Sequence, residues 1–174
     1  MVAVACVVVA GCGGGGAPRT ATTSEATTTT TEAPTTTTTE ATTTEPSGDL
    51  IAFVSDRDDS LGPEIFVMNA DGTQVRQLTD NDAWEAFPTW SPDGTLIAFV
   101  SGRDGDDEVF VMNADGTQVR QLTDNDAVDG RPAWSPDGTR IAFDRSATKI
   151  FVMDADGTDV YSTGQEGYSP SWGG

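Results

Sequence analysis

Residues 66–83 (FVMNADGTQVRQLTDNDA) recur letter for letter as residues 110–127, and a divergent third copy begins at Phe151 (FVMDADGTDV). A second motif is repeated in step with the first: Trp90-Ser91-Pro92-Asp93-Gly94-Thr95 reappears as Trp134-Ser135-Pro136-Asp137-Gly138-Thr139, 44 residues on. A chain with this self-similarity must build one supersecondary unit several times and bury each unit against the next. The second motif reads as strand, tight turn, strand. Pro presets φ at the first corner, Asp bonds back to the turn backbone, and Gly takes the position with φ > 0.

The hydrophobic pattern assigns the strands within each unit. In the first unit they are residues 50–54, 64–68 and 74–79, followed by the short Trp-bearing strand 88–90. The second has 96–100, 108–112, 118–123 and 132–134, and the third has 140–143, 149–153, 159–162 and 169–172. Leu96-Ile97-Ala98-Phe99-Val100 is apolar on both faces, whereas a sheet with one solvated face would alternate. Four-stranded units with two apolar faces, repeating every 40–45 residues or so, stack face to face as the blades of an all-β propeller.

The motifs also carry a family resemblance. Trp-Ser-Pro-Asp-Gly-Thr-x-Ile-Ala-Phe, followed by Ile-Phe-Val-Met-Asn-Ala-Asp-Gly-Thr, resembles the WD-like repeat of TolB-type propellers over residues 49–172. The resemblance implies a fold more strongly than a function. Such propellers serve as periplasmic binding scaffolds and as non-catalytic domains gating prolyl oligopeptidases. This sequence departs from the pattern in blade count: propellers typically have four to eight blades, and it has three units. Its order is also permuted. The first unit lacks its own Trp-bearing strand, and the strand at 168–172 has no unit after it. One outcome is a homodimer in which each terminal strand completes the partner's first blade, giving six blades in all. An open arc and a truncated remnant of a longer propeller are the alternatives.

The N-terminus reads as an address and a tether. Residues 2–10 are apolar but too short to span a bilayer, and they suit a signal-peptide core. They end in Val9-Ala10-Gly11-Cys12, which resembles the bacterial lipobox and implies lipidation of Cys12. No Lys or Arg precedes the apolar run, a departure from such signals. Residues 13–47 are rich in Gly, Thr and Pro and cannot bury enough apolar surface to offset their ordering entropy. The predicted organisation is therefore a lipoprotein signal in 1–12, a linker in 13–47 and propeller repeats in 48–174. It implies a lipid-anchored location in the cell envelope, on the outer side of the cytoplasmic membrane.

Composition narrows the chemistry. With 28 Asp and Glu against 9 Lys and Arg, the net charge of −19 disfavours nucleic acid as a partner. The chain has no His, and both cysteines, Cys6 and Cys12, lie outside the repeats. Ser-His-Asp and Cys-His catalysis are thereby excluded, and no catalytic residue, metal site or cofactor is predicted. The Asp-Gly pairs could suggest calcium, but each turn offers one or two oxygens where a calcium loop needs six to eight. Where the identical blocks end, the units diverge: Trp84-Glu85-Ala86-Phe87, Val128-Asp129-Gly130-Arg131, then Glu166-Gly167-Tyr168. These segments lead into the innermost strands and should ring one mouth of the channel. The candidate ligand contacts are therefore Trp84, Glu85, Phe87, Asp129, Arg131 and Tyr168, a set suited to a peptide or protein loop. The favoured function is non-catalytic binding of a protein or peptide partner. The alternative is an enzyme, or an enzyme-gating propeller, acting on envelope polysaccharide or peptides, with Glu85 and Asp129 as its acids.

Overall fold

The computed structural model describes residues 49–57 and 62–173. The signal, Cys12 and the linker lie outside the described residues. Among the described residues, eleven strands form three antiparallel sheets. The first contains β1 (Leu50–Ser55), β2 (Glu64–Asn69) and β3 (Arg76–Gln77). The second contains β4 (Glu85–Trp90), β5 (Leu96–Ser101), β6 (Glu108–Asn113) and β7 (Arg120–Gln121). The third contains β8 (Asp129–Trp134), β9 (Arg140–Arg145), β10 (Lys149–Asp154) and β11 (Tyr161–Glu166). Strand order follows the chain in each sheet, so each is a meander, and among the described residues the first has no counterpart of the Trp-bearing strand that opens the other two. β4 packs against β8 across the blade boundary, while β3, β7 and β11 pack on no strand outside their own sheets, so β4 and β8 are innermost.

Turn chemistry explains the repeated motif. Ser91 Oγ donates to Asp93 Oδ1 at 2.6 Å, the Thr95 N–H donates to the same oxygen at 3.1 Å, and Gly94 takes φ 71°. The Ser91 N–H donates to the Leu96 carbonyl at 2.9 Å and closes the hairpin. Ser135, Asp137, Gly138 and Thr139 repeat this arrangement. In the other Asp-Gly turns, Thr73, Thr117 and Thr158 donate both N–H and hydroxyl to Asp71, Asp115 and Asp156.

Two cores lie between the blades. One joins Ile65 and Val67 of the first blade to Ile97, Phe99, Phe110 and Met112 of the second. The other joins Ala98, Val109 and Val111 of the second to Trp134, Ile141, Phe143 and Met153 of the third. The middle blade is thus buried on both faces, as the two-faced apolar strands predict. Each fully buried Ile or Phe contributes about 2 kcal/mol.

Four strand expectations need correction. The third strands of the first two blades shrink from 74–79 and 118–123 to two residues each. Gln74 and Gln118 adopt φ 52° and 57°, which breaks the strand start. Beyond Gln77, the Thr79 hydroxyl accepts from the Ile65 N–H at 2.8 Å, so a side chain replaces the ladder; Thr123 does the same for Val109. The outer strand of the third blade runs Tyr161–Glu166 rather than 159–162. Residues 169–172 form no strand, having no sheet partner among the described residues.

Candidate functional site

The inner strands begin with a bulge. Register shifts between Ala86 and Thr89 in the β4–β5 ladder, and between Gly130 and Ala133 in the β8–β9 ladder. The residues at the bulges, Phe87 and Arg131, have φ 52° and 50°. A non-glycine side chain held in this region is strained, and a bulge re-aims it. Here the bulges bring the two side chains together. The Arg131 guanidinium carbon lies 5.4 Å from the Phe87 ring centre and 5.6 Å from that of Tyr168. Arg131 Nη1 donates to Asp144 Oδ1 and Oδ2 at 3.1 and 3.2 Å. Asp144 Oδ2 also accepts the Ser169 N–H at 2.9 Å, which ties the segment bearing Tyr168 to the third blade. Trp84 meets Phe87 edge-on at 6.1 Å.

These groups border a pocket of about 450 Å³, lined by Trp84, Phe87, Val128, Arg131 and Asp144, with Asp107 at its edge. Trp84, Phe87, Val128 and Tyr168 are all exposed. Its wall includes Ser146 and Ala147, both left-handed (φ 52° and 51°), at the β9–β10 turn. The site offers aromatic faces, a guanidinium and carboxylates, with no nucleophile–base pair.

The chain resembles known proteins in its fold. Residues 21–173 match the family described as the TolB beta propeller domain. The chain belongs to that family. No curated protein matches the sequence. Among solved structures, this TolB-type propeller superimposes on putative TolB from Agrobacterium tumefaciens with a TM-score of 0.63 at 26% identity. The match covers 71% of this chain and 50% of that one. TolB from Acinetobacter baumannii shares the fold, with a TM-score of 0.60 at 22% identity over 68% of this chain and 31% of that one. The chain thus matches half or less of the length of these TolB structures.

Within this TolB-type propeller the six candidate contacts separate into two groups. Trp84, Phe87, Arg131 and Tyr168 converge as described. Glu85 and Asp129 do not face the pocket; both are fully buried. Glu85 Oε1 accepts from Arg103 and Asn81 at 2.8 Å and from Ser101 at 3.0 Å. Burial nevertheless pushes its carboxyl above the ordinary value, against the pull of Asn81 and Arg103. Asp129 receives a forked bond from Arg145, with both N–O distances 2.7 Å, and Asn125 adds a third at 2.9 Å. That bond holds the Arg145 guanidinium above its usual value. The cause is the bulge: residues i and i+2 of a regular strand share a face, and the register shift at Phe87 breaks that alternation, so Phe87 turns to the pocket while Glu85 stays buried.

Sequence reasoning missed three groups. The first is the arginines over phenylalanine pairs: Arg57 on Phe53 and Phe66, Arg103 on Phe99 and Phe110, and Arg145 on Phe143 and Phe151. The spacing of Ser55-Asp56-Arg57 and Ser101-Gly102-Arg103 was the available signal. The second is the pair of buried acids Glu64 and Glu108. These accept the backbone N–H of Asn81 at 2.9 Å and of Asn125 at 2.7 Å and so fix the loops that lead to the site. The third is Asp144, the carboxylate that orients Arg131.

Proposed function

We propose that this chain is a lipid-anchored, non-catalytic propeller of the cell envelope that binds a protein or peptide partner at the pocket lined by Trp84, Phe87 and Arg131, with Tyr168 stacked beside it on Arg131. The observation that carries the reading is the layered Phe87–Arg131–Tyr168 stack, held open on strained backbone. A peptide would lay an apolar side chain on the exposed rings and direct its polar backbone at Arg131 and Asp107. Membership of the TolB beta-propeller family supports a binding role, and the lipobox-like Val9-Ala10-Gly11-Cys12 supports the anchor. Glu85 and Asp129, the acids an enzymatic reading would need, are buried and held by arginines, so no observation favours that alternative.

The test is capture from envelope extract on the immobilised full chain, compared with Phe87→Ala and Tyr168→Ala variants of unchanged far-UV spectrum. The expected result is a partner whose recovery drops at least tenfold in both variants, consistent with the loss of an aromatic anchor of about 1.4 kcal/mol or more. Equal recovery by all three proteins would overturn the pocket assignment. For the anchor, cells fed a labelled fatty acid should label the wild-type chain and not Cys12→Ser; an unlabelled wild-type chain refutes lipidation.

A further inference from the structure

We infer that the two ends of the blade arc are built for one another, and that a second copy of this chain adds residues 167–172 as the missing inner strand of the first blade. This goes beyond the pocket reading and does not depend on it. Three independent features of the described residues support it.

The first is conformation. Residues 167–172 pair with no strand among the described residues, yet they carry the shape of an inner strand. Ser169 has φ 54°, matching Phe87 at 52° and Arg131 at 50°, and Pro170 and Trp172 stand where Pro88 and Trp90, and Pro132 and Trp134, stand. The Trp172 indole N–H donates to the Ala133 carbonyl at 3.0 Å, just as that of Trp134 donates to the Thr89 carbonyl at 3.2 Å. The segment is seated against the third blade as β8 is seated against the second.

The second is an unpaired donor. By the same rule, the indole N–H of Trp90 should meet the carbonyl of the residue that precedes the Trp of the inner strand one blade earlier in the ring. Trp90 Nε1 is buried and has no hydrogen-bond partner, a state that costs roughly 1–3 kcal/mol. The rule names Ser171 of the second copy as the missing acceptor. In the register of β4 on β5, Trp90 faces Ile97 and Thr89 faces Ala98. Transferred to the junction, Trp172 of one copy faces Ile51 of the other, and Ser171 faces Ala52.

The third is continuity with the interfaces already present. Each blade boundary sets an Ala, Ile or Val surface against an Ile, Phe and Met surface. Ile51 lies at the position of Ile97 and Ile141, which are fully buried, yet it is 41% exposed. The half-buried Phe53 and Met68, with the buried Phe66, complete the second kind of surface beside it. In the third blade the positions of the first kind are the half-buried Ile150 and the already buried Ala142 and Val152. No strand of the first blade touches the third, so the arc is open among the described residues. The two surfaces are complementary, and in a twofold pair both junctions form at once. The junction differs from the internal boundaries in one way: Gly167 stands where Glu85 and Asp129 stand, so Arg57 keeps its ring stack without a carboxylate.

The test uses the full chain with Cys6→Ser and Cys12→Ser. Light scattering should give twice the 18.2 kDa chain mass. Ile51→Lys, a change at a side chain already exposed in the single arc, should return the chain mass with an unchanged far-UV spectrum. In the same background, Ala52→Cys with Ser171→Cys should oxidise to a covalent pair of chains, and neither single change should. A folded wild type at the chain mass overturns the inference. So does a dimer that survives Ile51→Lys, or one that the cysteine pair fails to cross-link, since either joins through another surface. Loss of partner capture in Phe87→Ala with the dimer intact would speak to the pocket alone.

Discussion

Arg103 and Arg57 make the same stack on a phenylalanine pair, and they differ in what else they hold. Arg103 donates to the fully buried Glu85 at 2.8 Å, whereas Arg57 donates to Ser55 at 3.0 Å and has no carboxylate partner among the described residues. Removing one partner of a buried pair strands the other as a desolvated charge. Arg103→Ala should therefore cost about 2–3 kcal/mol, discounted because its own side chain is partly exposed. Arg57→Ala removes an exposed cation–π contact and an exposed hydrogen bond to Ser55 and should cost less than about 1 kcal/mol. Urea unfolding of the two variants measures the contrast, and equal losses would mean that the ring stack, not the ion pair, carries the stability. The sequence shows both arginines at like spacing after a strand, but nothing local reveals that one is opposite an acid. That fact depends on the inner strand of the same blade, a long-range pairing.

At the level of elements, what was legible followed from the repeat. The Ser-Pro-Asp-Gly-Thr hairpins, the long middle strands and the missing first inner strand are all properties of local spacing. The bulges at Phe87 and Arg131 were not legible, because neither residue type announces a positive φ, and only the register against β5 and β9 imposes it. Hence the divergent segments border the pocket while two of their residues, Glu85 and Asp129, point inward. The β9–β10 turn is a similar case. The Arg145 carbonyl accepts the Thr148 N–H at 3.1 Å around Ser146 and Ala147, both at φ near 50°. Within the three-residue loop between Arg145 and Lys149 these two form a turn with φ > 0 at both central positions, the kind that prefers Asn-Gly. A left-handed Ala is strained by roughly 1–2 kcal/mol, part of which glycine's extra unfolded-state freedom offsets. Ser146→Asn with Ala147→Gly should therefore raise stability by about 1 kcal/mol. Thermal unfolding checks this, and a lower midpoint would show that contacts of the native side chains outweigh the backbone strain.

Across the whole molecule, the acids fall into two populations that respond to pH in opposite directions. Hydroxyl and N–H donors from Thr, led at Asp93 and Asp137 by a Ser hydroxyl, hold five turn carboxylates below the ordinary 3.8: Asp71, Asp93, Asp115, Asp137 and Asp156. Their stabilisation is in place above that value and is lost as pH falls through the folded-state values, about 2 for Asp137. Desolvation raises three others: Glu85, Asp107 and Glu108, the last to about 7 from 4.5. Between those limits the native state holds Glu108's proton more often than the unfolded chain does, so its contribution declines as pH rises through the window. The two effects leave maximum stability between about pH 4 and 5, on the acid side of the usual range. Glu108 dominates the descending limb, because it is buried among Thr123, Asn125 and the like-charged Asp129 and Asp106. Glu108→Gln keeps the shape and the acceptor for the Asn125 N–H, so it should flatten the decline between pH 5 and 7 while leaving the acid limb unchanged. Urea midpoints from pH 3 to 8 decide the matter: an unaltered slope in Glu108→Gln would transfer the effect to Glu85 and Asp107, and a midpoint that climbs steadily to pH 7 would mean that the buried carboxylates are ionised in the native state.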